Sequence, residues 1–453
     1  MAFTDNLVIL LQSGASSVAS YLAAHVLLCL VPAFLIAGGM TALIPKETIT
    51  RYLGRNAPKY LSYPMAAAGG FVLAVCSCTI LPLFAGIYRK GAGLGPAVTF
   101  LFVGPAINIL AVTYTGVAIG MDIATARVIL SFVFGIGIGL IMALVFARDD
   151  RARNEQAVNN GLFSGTASIR PSVVAFMLLL VALLIVGTLG IGLFTSAYAQ
   201  VTLPTVGANS WQAALDRLVP YDATQGQEGV SVQGALLIAL LGVIALTAWR
   251  GLSHIDEGFN GWSYIALAFV GLTLLVAALR MLPQPDGLQV QFTGRFFGEL
   301  AVLLAVAWLA WKKLEAYEVQ SWLWETWRFV RQIFPLLLVG VFGAGVARVI
   351  IPANVVQAIA GQNTVLANFV GVLFGVFMYF PTLVEVPIAN MFLQLGMHRG
   401  PLLAYLMADP ELSIQSILVT SKIIGGRKTW TYVALVALFS MLAGLIFGWV
   451  SGG

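Results

Sequence analysis

The chain reads as an all-α, polytopic transmembrane protein, with two inverted repeats that each carry a broken or re-entrant hairpin, flanking a central helical insertion. Three observations predict this fold class. Charge is too sparse for a water-facing surface, apolar runs of spanning length recur from end to end, and prolines of the first third return at a fixed offset in the last.

Of 453 residues, 59% are hydrophobic and 9% charged, against about 25% charge in a soluble domain. Mean hydropathy is +0.92. A hydrocarbon core roughly 30 Å thick asks for about 20 apolar residues per helix. Runs near that length cover 18–44, 64–87, 96–116, 124–146, 171–198, 230–249, 262–282, 296–311, 329–350, 365–386, 401–420 and 430–450. The net charge of +5 rests on 24 Lys and Arg. They sit mostly in short connections, so they report membrane orientation, and no nucleic-acid partner is expected. Cys29, Cys76 and Cys78 lie inside apolar runs and are too few for a disulfide scaffold. The N-terminal stretch lacks the basic region of a cleavable signal, so the first membrane helix is expected to act as its own signal.

Three connections stand out. Residues 46–63 read as an amphipathic surface helix, and 201–230 is polar and mildly acidic. Residues 312–331, with Trp322, Trp324 and Trp327, read as an interfacial helix anchored by aromatics. The expected organisation is an N-terminal repeat at 18–147 and a central segment at 148–311 with an external loop at 201–229. An interfacial linker at 312–328 and a C-terminal repeat at 329–450 complete it.

Duplication is read from the prolines. Pro32, Pro45, the run GGFVLAVCSCTILPL, Gly95-Pro96 and Gly104-Pro105 recur as Pro335, Pro352, VGVLFGVFMYFPTLVEVP, Gly400-Pro401 and Asp409-Pro410. One offset takes Pro82 to Pro387, Pro96 to Pro401 and Pro105 to Pro410. If all twelve segments crossed, Lys and Arg would divide evenly between the two sides and define no orientation. Taking 96–116 and 401–420 as re-entrant hairpins, turning at Gly104-Pro105 and Asp409-Pro410, makes one side richer by more than two to one. Ten spans and two hairpins result. The basic side is then cytoplasmic, both termini lie outside, and the repeats enter from opposite faces, the usual architecture of secondary transporters. Arg89 and Lys90 would fall on the poor side, against the trend.

Irregular backbone at membrane depth survives only where protein or a water-filled cavity satisfies it. The turns around Gly104, Pro105 and Asn108, and around Asp409, Pro410 and Glu411, are therefore candidate walls of a substrate site; the alternative is that each proline merely kinks a spanning helix. Intramembrane carboxylates are functional candidates, or else Asp409 and Glu411 lie in a solvated interfacial loop. Cys76 and Cys78 form a CSC motif before Pro82, which weakens the helical ladder there. Soft thiolates favour thiophilic species such as trivalent arsenic, and equally free Cys packs as a small buried hydrophobe. Neighbouring His25 and Cys29 offer a further polar pair. Glu385, flanked by Pro381 and Pro387, could exchange a proton or bond a neighbouring helix. Lys422 could pair with an acid or flank the hairpin. No ATP-binding, HExxH, GxSxG or zinc-spacing motif occurs, and His25, His254 and His398 are the only histidines. Neither enzyme activity, a cofactor nor a resident metal is expected.

From Cys76 to Asn108, CSCTILPLFAGIYRKGAGLGPAVTFLFVGPAIN resembles the predicted-permease family that includes the ArsP-type organoarsenical efflux permeases. The block FGVFMYFPTLVEVPIANMFLQLGMHRGPLLAYLMADPELSIQSI is similar to that family's C-terminal repeat. The resemblance covers roughly 20–150 and 325–450, and the long middle third departs from shorter members. It implies an inner-membrane exporter of trivalent organoarsenicals driven by an ion gradient, with H+ as the expected coupling ion. A permease for another ion or small metabolite, with cysteines that only pack, is the alternative. A membrane thiol oxidoreductase and an accessory membrane subunit are further alternatives.

Overall fold

The structure, a computed structural model, describes residues 2–24, 28, 30–44, 52–54, 57–73, 77–107, 112, 115–116, 119–151, 170–188, 192–204, 208–219, 221–222, 227–284, 287–350, 358–377, 385–394 and 396–451. Among these, sixteen of the seventeen helices of ten or more residues are labelled here, leaving aside Ala208–Leu218 in the polar connection. They are α1 (Ala2–Ala24), α2 (Val31–Leu43), α3 (Lys59–Leu73), α4 (Ser77–Arg89), α5 (Leu94–Ala106), α6 (Met121–Val145), α7 (Pro171–Thr188) and α8 (Val232–Gly251). Then follow α9 (Gly261–Ala278), α10 (Gly294–Lys313), α11 (Ala316–Ile350), α12 (Val365–Phe377), α13 (Glu385–Gln394), α14 (Arg399–Ala408), α15 (Ile414–Ile424) and α16 (Gly426–Val450). Six helices among the described residues are long and apolar enough to cross a membrane: α6 to α10 and α16. Helices α2, α5, α12 and α15 are apolar but too short to do so alone.

The central segment is capped by its own sequence. Ser231 accepts from the Gly234 amide to start α8, Asn260 and Ser263 form a capping box on α9, and Thr293 accepts from the Phe296 amide to start α10. The expected spans 171–198 and 262–282 do not run their full length as helix, because the chain pairs as sheet from Ala197 and from Arg280. Strands β1 (Ala197–Leu203), β4 (Arg280–Gln284) and β5 (Gly287–Thr293) form an antiparallel sheet in the order β1-β5-β4, with Val201 opposite Val290 and Met281 opposite Val290. A short ribbon, β2 (Tyr221–Asp222) with β3 (Gln227–Glu228), lies in the same connection. The all-α reading holds for the membrane body, and the sheet caps one face of it. The expected linker at 312–328 is not a separate helix: Lys312 and Lys313 end α10, and from Ala316 the chain runs unbroken into the following span as α11. Trp322 and Trp327 are buried there, donating to the Leu35 carbonyl and the Ser253 hydroxyl, so they pack helices together.

Described elements of the two repeats begin or end at corresponding positions, at the offset of their prolines. Helix α5 starts at Leu94 and α14 at Arg399, and α6 and α16 are each 25 residues long, with equivalent first and last positions. Positive-φ glycines recur as well: Gly91 (φ 96) with Gly396 (φ 93), and Gly120 (φ 148) with Gly425 (φ 89). These are turns that only glycine enters without strain.

The pair α6 and α16 fixes the relation between the repeats. Phe134 and Phe439, equivalent positions, touch each other with ring centroids 5.0 Å apart. The C-terminal end of α6 meets the N-terminal end of α16, where Lys428 Nζ lies 3.5 Å from Asp149 Oδ2 and Arg427 lies over the Phe146 ring. The helices are antiparallel and cross at their midpoints, so the two-fold relating them lies across both. At about 1.5 Å per residue each is about 37 Å long and spans the bilayer. That axis is therefore in the membrane plane, and the repeats are inverted.

The hairpins are not where the charge count placed them. Helix α3 starts beside the start of α5, where Tyr63 faces Gly95, and α4 ends on the same face: Lys90 Nζ donates to the Ile44 carbonyl, and Gly93 donates to the Leu53 carbonyl. Helices α3 and α4 thus form the re-entrant pair. Helix α5 begins where Leu94 donates to Asp150, at the C-terminal end of α6, and stops at Ala106 opposite the middle of α6. Because α6 starts at the far face, the chain enters α5 from one face and reaches α6 from the other, with α5 ending between them. In the second repeat α12 and α13 are the re-entrant pair: His398 donates to the Ala360 carbonyl, and Arg399 Nη2 is 2.7 Å from Asp122 Oδ2, both at the N-terminal end of α6. Helices α14 and α15 then cross together, breaking at Asp409. Ten crossings and two hairpins remain. Arg89 and Lys90 move to the basic face, where Arg89 bonds Gln332 and lies over the Phe329 ring, which removes the exception to the charge rule. Of the expected surface helix at 46–63, residues 52–54 and 57–63 are described, and Lys59 to Tyr63 open α3 instead of lying in a separate surface helix.

Single cysteines placed at Lys59, Arg427, Thr202 and Gln362 in a cysteine-free background test this topology. Positions 59 and 427 should label from one side of the membrane with an impermeant maleimide, and 202 and 362 from the other. Labelling of 59 and 362 from the same side would reject the inverted arrangement.

Candidate functional site

Small residues let the half-helices meet. In the first repeat Gly70 is packed so tightly on α5 that an added Cβ would sit 3.0 Å from the Gly104 amide nitrogen, and in the second Gly375 stands 2.9 Å from that of Asp409 by the same measure. Gly139 approaches the Gly95 carbonyl and Gly444 the Gly400 carbonyl in the same way, at equivalent positions. Small residues permit such backbone contact between membrane helices. Both breaks are thereby held at the middle of α6, where Ser131 Oγ lies 3.8 Å from Met407 Sδ on α14.

A helix that ends inside a membrane leaves carbonyls without partners. At the first break Arg127 on α6 supplies one: its Nε donates to the Ala106 carbonyl at 3.2 Å. A cation at a helix C-terminus also opposes the negative end of the dipole. At the second break the backbone closes itself, with the Asp409 amide donating to Tyr405, and those of Glu411 and Leu412 to Ala408. Ser413 then caps α15, its hydroxyl accepting from the Ser416 amide and pairing with the Ser416 hydroxyl at 2.7 Å. Asp409 and Glu411 precede the N-terminal end of α15, where the dipole favours negative charge.

Four charged side chains gather here, shielded from both faces. Arg127 and Glu385 are 0% and 1% exposed, with Nη1 and Oε1 2.6 Å apart in an end-on ionic contact outside hydrogen-bond geometry. Asp409 and Glu411 are 1% and 4% exposed. Glu411 Oε2 accepts from the Tyr432 hydroxyl at 2.9 Å, and the charge of Arg127 also acts on it. Tyr432 occupies in the second repeat the position of Arg127 in the first, as Glu411 occupies that of Ala106. The backbone is symmetric and the chemistry is not: one repeat brings a cation, the other three acids.

Of the residues singled out by sequence, Gly104, Pro105, Asp409, Pro410, Glu411 and Glu385 are brought together at the breaks. Pro105 lies in the last turn of α5, so the helix ends two residues later than the turn expected at Gly104-Pro105. Asp409 and Glu411 are buried, not in a solvated loop. Cys76 and Asn108 lie outside the described residues, as do Cys29, His25 and the side chain of Cys78; the backbone of Cys78 is in the first turn of α4, next to the tip of the re-entrant pair. Lys422 is exposed near the end of α15, away from the acids. Sequence reasoning centred on prolines passes over Arg127 and Tyr432. The available signal is that Arg127 is the one charged residue in the apolar run 124–146.

Replacing one member of a buried ion pair leaves the other charge stranded, at about 3–5 kcal/mol. Arg127→Met and Glu385→Met should each lower the thermal midpoint of the detergent-solubilised protein by that equivalent. The double variant should recover most of the loss. A double variant as unstable as the sum of the two would show that the pair contributes nothing as a pair.

The sequence profile of the family described as predicted permeases matches residues 12–449. The chain is 34% identical over 438 residues to the UPF0718 protein MJ0584 of Methanocaldococcus jannaschii, covering 96% of this chain and 94% of that protein. It is 23% identical over 300 residues to the UPF0718 protein YraQ of Escherichia coli, covering 55% and 85% respectively. No solved structure matches. With the helix breaks, inverted halves and a profile match over nearly the whole chain, the protein belongs to the predicted-permease family and is a multi-pass membrane permease.

Proposed function

We propose that the protein is a secondary-active exporter of a trivalent organoarsenical, or a similarly thiophilic solute, through a midplane site between its inverted repeats. The observation that carries a transport site is the meeting of two helix breaks at the buried Arg127, Glu385, Asp409 and Glu411. Broken helices at the centre of inverted repeats are where secondary transporters bind substrates and coupling ions. The substrate residues on this reading are Cys76, Cys78, Gly104, Pro105, Asn108, Asp409, Pro410 and Glu411, with Glu385 coupled to proton movement. The CSC motif supports the thiophilic class, since soft thiolates select soft species. The coupling ion is H+, because three acids face a single buried cation and the surplus negative charge needs a proton at this depth. The protein resides in the cell (inner) membrane with the basic face cytoplasmic and both termini outside, on the strength of the distribution of Lys and Arg.

A second reading has its own observation. The described part of the site is charged, which suits another ion or a small polar metabolite, the cysteines then only packing. A thiol oxidoreductase finds less support, since residues two apart close only a strained small disulfide ring.

Uptake into everted vesicles separates the readings. Methylarsenite should accumulate saturably with an imposed proton gradient, and Cys76→Ser and Cys78→Ser should each reduce that at least tenfold. Undiminished transport in both serine variants favours the second reading, and no gradient-dependent uptake of methylarsenite, arsenite or antimonite rejects the first.

A further inference from the structure

The charge balance of the site assigns a role to Arg127 that the permease reading leaves open. Its stem is fixed, because Nε is held on the Ala106 carbonyl at the first break, while the far end of the guanidinium is less constrained. Nη1 meets Glu385 end-on, and Nη2 is buried with no hydrogen-bond partner among the described residues. Five N–H donors on a planar fork are suited to two carboxylates, not one. The second is at hand. Glu411 holds Tyr432 through Oε2, whereas its Oε1 is buried with no hydrogen-bond partner among the described residues, and it lies within the reach of the Arg127 charge.

Among the described residues, few groups face this arrangement. Arg127 comes from α6, Glu385 from α13, Asp409 and Glu411 from the break between α14 and α15, and Tyr432 from α16. Tyr405, one turn before Asp409, packs against Phe374 and Phe392. Glu385 and Glu411 belong to different parts of the second repeat: one starts the returning arm of a re-entrant pair, the other sits in the break of a crossing helix. A relative movement of these two parts changes which acid is nearer to an arginine anchored in the first repeat.

We propose that Arg127 is an exchangeable counter-ion, neutralising Glu385 in the state seen here and Glu411 in the alternate state. The carboxylate it leaves takes a proton. An O–H bond forms on that acid with a proton from water on the face then open, and the acid that Arg127 joins loses its proton to water. No electrons move, and the buried charge is the same before and after, so the exchange meets no large Born penalty. This proposal rests on the reading of the protein as a proton-coupled permease, and it makes Glu385 and Glu411 alternating sites of one proton, with Arg127 the positioning residue that decides between them.

Infrared difference spectra of the full-length protein in lipid nanodiscs test the exchange without any substrate. At neutral pH, Glu385→Gln should lower the protonated-carboxyl signal by one acid, although Glu385 is itself ionised in the state seen here. Freed of its partner, Arg127 moves to Glu411 and discharges the proton there. Arg127→Gln should raise the signal by one acid, as Glu385 becomes protonated, and Glu411→Gln should lose one and so assign the band. A Glu385→Gln spectrum with the wild-type signal overturns the proposal. If that variant does not fold, an Arg127→Gln spectrum without the gain does the same. In everted vesicles Glu385→Gln and Glu411→Gln should each lose proton-driven methylarsenite accumulation at least tenfold, and undiminished accumulation in both overturns the coupling role. Absence of methylarsenite transport in the wild type, with the infrared pattern present, rejects the substrate reading and supports the exchange.

Discussion

A helix broken halfway through a membrane exposes carbonyl and amide groups where no water can bond them, and much of this molecule answers that constraint. At the first break the Arg127 guanidinium covers the Ala106 carbonyl, and at the second Ser413 caps the helix that resumes. The two solutions have opposite sign. A helix C-terminus attracts the cation and a helix N-terminus the acids, so the breaks are electrically complementary, and Glu385 of the re-entrant helix α13 pairs with the Arg127 that covers the first break.

Bringing the breaks to one depth requires backbones to approach closely, and glycines at equivalent positions do this. Gly70 against Gly104, Gly375 against Asp409, Gly95 against Gly139 and Gly400 against Gly444 leave no room for a side chain. Lipid tails are as apolar as leucine, so association between membrane helices depends on such packing more than on a hydrophobic driving force. The re-entrant pairs wedge beside the broken helices and shield them. The central helices, with their sheet on one face, follow neither repeat and keep most of their surface toward lipid.

Duplication supplied a symmetric backbone, and the chemistry arises where the symmetry fails. Arg127 and Tyr432 occupy equivalent positions and both reach the break of their own repeat, one touching a backbone carbonyl and the other a carboxylate. The outcome is a site with one fixed cation and three acids, all shielded from water. Surplus buried acids are costly at this depth, and the proposed coupling to protons rests on that imbalance.

Much of this was legible in the residues alone. Composition and apolar runs determined the membrane class, since no water-facing surface can be built with so few charges. The proline offset determined the repeats, and the Lys and Arg distribution determined that ten segments cross and two return, with the halves opposed. Asp409 and Glu411 were marked by the proline beside them. Which segments return was decided only by the tertiary structure. Exchanging 64–87 with 96–116, or 365–394 with 401–420, leaves every later segment on the same side and moves only Arg89, Lys90 and Arg399, too few charges to decide. The pairing of Arg127 with Glu385 was beyond the sequence for a related reason. Hydropathy reports depth along each helix, but not which helices meet there, and a single arginine in an apolar run acquires its partner only when the inverted repeat is folded against it.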